Sequence, residues 1–407
     1  MKNRKAAVGF IFITLLLDVI GLGIIIPVIP ALIQELTGGS ISEASRYGGW
    51  LIASYALVQF LCAPIVGALS DKYGRRPILL LSLLGFGLDY LVLAVAPTIG
   101  WLFLARIIAG VFGASFTTGA AYIADVSSAE KRAQNFGLLG AAFGLGFIIG
   151  PVTGGLLGEI GPRVPFYAAA LVTFLNLIYG YFILPESLLK ENRREFEWSR
   201  ANPLGALFAL KRYPSVAGLI GALTFIYLAS HAIQGTWTYF SMEKFNWSES
   251  MVGYSLGLVG IMSALVQGLL IRIIIPKIGE YNTMITGIIF NICGCLLFSM
   301  ASEGWMLLCF IIPYSLGGIA GPAIQGILSN QIPDNEQGQL QGALTSMMAA
   351  TGIIGPLMMT SIFAYFTAEN APIYFPGAPF VTGAVLVSIC LFLILRKGSK
   401  YTTGNPI

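Results

Sequence analysis

Twelve long apolar runs, each near the length that crosses a bilayer and each closed by turn or charge signals, leave this chain of 407 residues few folds to choose from. They fall at about 7–29, 46–69, 78–96, 100–124, 134–158 and 164–184, then 213–240, 249–273, 282–301, 304–329, 338–366 and 376–396. In hydrocarbon every backbone N–H and C=O must be satisfied within its own segment, so runs of this length fold as helices. Hydrophobic residues make up 56% of the chain and charged residues 10%, which excludes a water-soluble globule and leaves no room for a sizeable soluble domain. The expected fold class is an all-α membrane protein of twelve transmembrane helices. The first run follows Lys2, Arg4 and Lys5 as a signal peptide would, but it is too long, carries Asp18 and lacks a small-residue cleavage site. Cys62, Cys293, Cys295, Cys309 and Cys390 lie inside apolar runs without the spacing of a disulfide framework or zinc site. They read as packing residues, and no metal or other cofactor is expected.

Loop charge sets the expected orientation. With the N-terminus in the cytoplasm, that side collects Lys72, Arg75, Arg76, Lys131, Arg132, Lys190, Arg193, Arg194, Lys277 and Arg396 among others, against Arg46, Arg163 and Lys244 on the opposite side. Both termini are therefore expected in the cytoplasm, and the net charge of +4 reflects this asymmetry rather than nucleic acid binding. The only long polar stretch, from Pro185 to Tyr213, mixes Glu186, Lys190, Glu191, Arg193, Arg194, Glu195, Glu197 and Arg200 and reads as a cytoplasmic connector. The expected domains are a six-helix bundle over 1–185, a linker over 186–212 and a second six-helix bundle over 213–407. A shift of about 205 residues lays Lys72 and Gly74 on Lys277 and Gly279, Gln134 on Gln339, Gly137 on Gly342, and Ile148–Pro151 on Ile353–Pro356. One offset shared by separate loops and helices argues for duplication.

Charge inside a span needs a reason. Asp18 lies near the middle of the first run and Asp89 in the third, where a carboxylate costs about 3 kcal/mol. Arg106 in the fourth run is the expected partner for one of them. Protonation of an acid alternating with its pairing to Arg106, or to a cationic substrate, would couple proton movement to transport. The alternative is a static ion pair that fixes helix packing.

Between the second and third runs stands Gly67-Ala68-Leu69-Ser70-Asp71-Lys72-Tyr73-Gly74-Arg75-Arg76-Pro77, a tight charged loop with glycines for close backbone approach and a proline suited to a helix start. This string resembles the loop signature of the major facilitator superfamily. The resemblance implies that Asp71, Arg75 and Asp125 form a cytoplasmic gate; a physical route exists, with Asp71 reaching the positively polarised start of the eleventh helix near Gln337 to Gln341 and Arg75 reaching Asp125. The other reading makes these charges ordinary topology determinants. The fifth run carries Gly140, Gly144, Gly146, Gly150-Pro151 and Gly154-Gly155, a strip without side chains that lets a neighbour come close. It resembles the antiporter motif of proton-driven drug exporters, although plain helix packing also uses glycines.

Deep polar or aromatic residues in other runs are Tyr55, Gln59, Thr117, Thr118, Tyr122, His231, Gln234, Trp237, Gln267, Asn291 and Gln325. They suit either a cavity for an amphipathic molecule or interhelical hydrogen bonds. His231, the sole histidine, is either a second titrating group or a neutral packing partner.

Nearly the whole chain resembles the tetracycline/proton antiporters and their multidrug relatives. The resemblance is carried by Leu16-Leu17-Asp18 with Pro27-Val28-Ile29-Pro30, the signature loop, Leu88-Asp89-Tyr90, Gly140 to Gly155, Met251 to Leu256, and Ile353 to Pro356. It implies two pseudo-symmetric six-helix bundles of the major facilitator fold in a bacterial inner membrane. It also implies export of small amphipathic compounds, such as tetracycline-like antibiotics, by proton-coupled alternating access. The family's essential acids and cation map to Asp18, Asp71, Arg75, Asp89 and Arg106, and its cavity glutamines to Gln59, Gln267 and Gln325. Ser263 and Asn291 stand where these exporters commonly carry histidine and aspartate, which shifts proton handling to the N-terminal half and argues against a tetracycline–metal chelate as substrate. A major facilitator carrier of a sugar or peptide, or a transporter-like receptor, is the alternative. No enzyme is expected, because one histidine excludes a His-Glu-x-x-His site and no phosphate-binding Gly-x-x-x-x-Gly-Lys loop occurs. The expected partners are a small-molecule substrate, protons and the lipid bilayer, with no nucleic acid and a monomeric state.

Overall fold

The computed structural model describes residues 2–113, 115–128, 131–196, 214–333 and 337–396. Of the expected connector, 197–212 lies outside the described residues. The first span, α1 (Lys2–Ile25), stops before Pro27, which has no N–H to continue the helix. Ile26 and Val28 turn the chain by donating to the Gly23 and Ile25 carbonyls at 3.3 Å each, and α2 (Ile29–Thr37) follows. The remaining spans of the first half are α3 (Ile41–Tyr73), α4 (Arg75–Val95), the pair α5 (Ile99–Phe112) and α6 (Ser115–Val126), α7 (Arg132–Gly158) and α8 (Val164–Ile183). The second half contains α9 (Pro214–Phe245), α10 (Glu249–Leu265), α11 (Ile271–Met300), α12 (Gly304–Leu316), α13 (Ala320–Ser329), α14 (Gln337–Thr367) and α15 (Ala378–Arg396). A π-turn over Val266–Leu270 joins α10 to α11, and a 3-10 turn over Gly317–Ile319 joins α12 to α13.

Among the described residues, eleven helical stretches are long and apolar enough to span, and one of these, Glu249–Met300, runs for 52 residues. At about 1.5 Å per residue it would be about 78 Å long, far more than a hydrocarbon core of about 30 Å can take. It reverses at Gly279, where φ 79° and ψ 164° shut out any β-carbon, so the stretch holds two spans and the total is twelve. Gly74 turns the chain between α3 and α4 in the same backbone region, with φ 110° and ψ 161°. The two glycines are 205 residues apart, and so are Gly113 and Gly318, where the fourth and tenth spans are interrupted. The duplication read from sequence thus recurs in backbone geometry.

Two compact units are present. The first contains Met1–Gly39, Ser54–Pro203 and Ser248–Gly257, and the second Ser40–Ala53, Leu204–Trp247 and Leu258–Ile407. In the first, α1 lies along α7 and α8, α4 packs on α5 and α8, and Ile11, Leu15, Leu79, Tyr122 and Ile123 form a core. In the second, α9 packs on α14 and α15 and α11 on α12 and α15, around Met284, Ile288, Ile324, Leu328 and Leu340. Leu171, Leu175, Ile178 and Phe182 on α8 stay exposed, which suits a face that meets lipid.

Candidate functional site

The buried acids of the first unit occupy two different environments. Asp89 on α4 is ion-paired with Arg106 on α5, its side chain fully buried and the arginine's 11% exposed. Burying such a pair is tolerable only while both members are present, since removing one strands the other charge. Asp18 on α1, 4% exposed, accepts a 2.6 Å hydrogen bond from Ser115 Oγ on α6 through Oδ2, while Oδ1 has no partner among the described residues. Arg106 therefore belongs to Asp89, and the Asp18 carboxyl is held by a neutral hydroxyl. Tyr55 and Tyr90 stand within electrostatic reach of Asp18, Asp89 and Arg106. Gln59 Nε2 donates to Tyr55 Oη at 2.9 Å and to the Gly113 carbonyl at 2.7 Å, where the interruption of the fourth span frees that oxygen from the helix ladder.

At the signature loop, Arg75 pairs with Asp71 one turn earlier, and its Nε donates to Asp125 Oδ2 at 3.1 Å. Asp125 Oδ2 also accepts from Ser187 Oγ at 3.0 Å, and Tyr122 Oη donates to the Pro185 carbonyl at 2.9 Å. Glu186 Oε1 accepts three backbone N–H bonds, from Arg75 at 2.9 Å and from Ser187 and Leu188 at 3.0 Å each. It thereby caps α4 from outside, where Gly74 supplies no side chain to do so. Arg194 N–H closes the arrangement by donating to the Asp71 carbonyl at 3.2 Å.

The glycine strip of α7 has two partners within the first unit. Gly146 receives the Val19 side chain, whereas Gly150 meets Gly23 and Gly154 the Ile24 backbone, so at these last two α1 and α7 touch without intervening side chains. Gly155 abuts the Glu249 and Ser250 backbone, and Gly253 abuts Pro151, so the first turns of α10 share the same strip. A β-carbon at Gly150 would lie 2.8 Å from both the Gly23 α-carbon and the Ile20 carbonyl oxygen.

In the second unit the expected cavity residues separate. Trp237 is 2% exposed and lies edge-on to Phe298 and Phe380, at centroid distances of 5.0 and 6.4 Å, so the ring belongs to the aromatic core. His231 rests against Gly355 of α14, where a β-carbon would collide with the imidazole. Asn291 backs onto Gly317, and its Oδ1 accepts from Cys295 Sγ at 3.8 Å. Gln234, Gln267 and Gln325 keep exposed side chains, Gln234 donating to Ser230 Oγ at 3.3 Å. An exposed amide in a span is costly against hydrocarbon, so these positions call for a wet surrounding.

A family model described as Major Facilitator Superfamily matches residues 11–356 and again 224–405. The chain belongs to the Major Facilitator Superfamily. Its relatives include the tetracycline resistance protein of class C from Escherichia coli, 40% identical over 98% of both chains, and that of class H from Pasteurella multocida, 38% identical over 98% of both. Among solved structures it is similar to the human organic anion transporter MFSD10 (TETRAN), with TM-score 0.71 and 25% identity over 96% of this chain and 99% of that one. A D-xylose-proton symporter, TM-score 0.77 and 16% identical over 99% of both chains, shares the fold. As a Major Facilitator Superfamily member the chain is a multi-pass membrane transporter of twelve helices.

Ser115 and Glu186 were not singled out by sequence reasoning. Signals for both exist in this superfamily member: Gly113 breaks an apolar run two residues before Ser115, and Pro185-Glu186-Ser187 follows the sixth span as a chain end that must be capped. Neither signal tells which distant helix the side chain will serve.

Proposed function

We propose that this protein exports small amphipathic compounds, tetracycline-like antibiotics among them, across a bacterial inner membrane in exchange for protons by alternating access. The observation that carries the proposal is the Asp18 carboxyl. It is buried in the first span with one oxygen on Ser115 and the other without a partner among the described residues, in a chain 40% identical to a tetracycline resistance protein. Such a group accepts a proton without a partner having to leave, and on losing it the carboxylate keeps the Ser115 hydrogen bond. Asp89 with Arg106 forms the second element of coupling, since a cationic substrate or a proton can compete with the guanidinium for the carboxylate. The moving bodies in this reading are 1–185 and 213–407, joined by 186–212, with both termini in the cytoplasm. Arg75, Asp71 and Asp125 make a latch that opens and closes with access, and Gly146, Gly150, Pro151, Gly154 and Gly155 its sliding seam. Gln59, Gln234, Gln267, Asn291 and Gln325 present hydrogen-bonding groups to the substrate, and His231 supports them by packing. With Ser263 and Asn291 at these positions the second half lacks a membrane-buried acid, which suits a broader amphipathic substrate set than a metal chelate.

The test is a drug-susceptibility panel in a host stripped of its own exporters, paired with drug uptake into inverted vesicles. Wild-type protein is expected to confer resistance to at least one amphipathic drug, with uptake collapsing on addition of a protonophore. Asp18→Asn, at equal membrane abundance, is expected to lower proton-driven uptake by about 100-fold or more. Full-rate, protonophore-sensitive uptake by Asp18→Asn would remove the mechanism.

A further inference from the structure

The face of α1 that carries Asp18 also carries Thr14 and Gly21, about one turn to either side, and α8 answers it with Thr173, Asn176 and Tyr179. Spacing of three residues stacks the α8 side chains in a line. Asn176 Nδ2 donates to the Thr14 carbonyl at 2.8 Å, and the Phe10 and Tyr179 rings meet edge-on at 6.2 Å, so the two helices are in register along this line. A β-carbon on Gly21 would lie 3.3 Å from Thr173 Oγ1 and 3.5 Å from Tyr90 Oη, so both hydroxyls border the place where α1 has no side chain.

Five polar atoms along this seam have no hydrogen-bond partner among the described residues: Asp18 Oδ1, Tyr90 Oη, Thr173 Oγ1, Asn176 Oδ1 and Tyr179 Oη. Thr173 and Asn176 are fully buried, Tyr90 is 1% and Asp18 4% exposed. Natural proteins leave few buried polar atoms unsatisfied, and a seam that gathers several of them is where ordered water is held. From Thr173 to Tyr179 the helix rises about 9 Å, a length that about three hydrogen-bonded waters cover. The row begins beside Asp18 and runs toward the end of α8 where Arg76 donates to the Tyr181 carbonyl.

We propose that the seam between α1 and α8 holds a file of ordered water along which the Asp18 proton travels to the end of the unit that bears the signature loop. The proposal rests on the proton-coupled reading of Asp18 and adds the route. The carboxyl gives its proton to the nearest water oxygen, each water passes one on, and the carboxylate left behind retains Ser115. The titratable and charged groups around the seam are Asp18 on α1, Tyr55 on α3, Asp89 and Tyr90 on α4, Arg106 on α5 and Tyr179 on α8. Of these, Asp89 and Arg106 are committed to each other.

Two measurements on the full-length protein test the route. Hydroxyl-radical footprinting of wild type in detergent is expected to label Tyr90 and Tyr179 despite their buried hydroxyls, because the radical forms from water already in place. In proteoliposomes with tetracycline as the probe, Thr173→Val combined with Tyr179→Phe is expected to cut drug-driven proton flux by at least about tenfold while leaving drug–drug exchange unchanged. Absence of labelling at both tyrosines, or undiminished proton flux in the double variant, overturns the route. If wild-type protein moves no protons with tetracycline, the exporter reading falls for that drug and the labelling result alone decides whether the seam holds water.

Discussion

Where the first unit buries Asp18, Asp89 and Arg106, the second unit, 205 residues on, has Leu223, Gly294 and Ile311. Leu223 and Ile311 are core residues, 4% and 0% exposed. A β-carbon at Gly294 would lie 2.6 Å from the Tyr314 α-carbon, so α11 and α12 close by backbone contact where α4 and α5 are tied by an ion pair. The same substitution of chemistry occurs at the loops: Arg75 donating to Asp125 has as its counterpart Asn330 donating to Glu280 at 3.3 Å. One scaffold is thus built twice, once with charge at these positions and once with apolar contacts. Since the apolar version packs, the scaffold can close at these positions without an ion pair.

The largest effect is expected from giving the first unit the apolar solution. Asp89→Leu with Arg106→Met is expected to remain as stable as wild type in thermal unfolding or to gain about 1–4 kcal/mol, while proton-driven transport disappears. Arg106→Met alone should lose about 3–5 kcal/mol, because Asp89 is then buried unpaired. A double variant that still transports would show the pair to be mere packing. A smaller effect is expected at the cap: Glu186→Ala removes the acceptor of three backbone N–H groups and should cost about 1–2 kcal/mol, read as faster hydrogen exchange at Arg75, Ser187 and Leu188. Unchanged exchange there would mean that the 186–188 turn holds itself. The smallest effect belongs to the second unit's loop, where Glu280→Gln touches an exposed contact and should change stability by less than about 1 kcal/mol and leave transport near wild type. Loss of transport in Glu280→Gln would show that the two loops share the work.

Spans, loop glycines and the repeat were legible in the sequence because they depend on length and spacing. The glycine reversal at 74 and its copy at 279 came out of one offset, and Arg75 found Asp125 as the signature implied. Partner choice inside the bilayer was harder. Arg106 had two candidate acids, and only the rotation of α4 and α5 about their axes assigns it to Asp89. A span that is apolar on every side carries little periodic signal for that rotation. Trp237 shows the same limit: a large ring with one polar atom suits a cavity wall or an aromatic core equally well, and it is the neighbouring Phe298 and Phe380 that settle its place in the core. Ser115 was invisible for a related reason, since a hydroxyl in a span is unremarkable until an acid from another helix meets it.

The gap between Phe112 and Ser115 has a mechanical meaning. On one side of it sits the guanidinium that holds Asp89, on the other the hydroxyl that holds Asp18. The two acids are therefore tethered to separate helices rather than to one continuous rod.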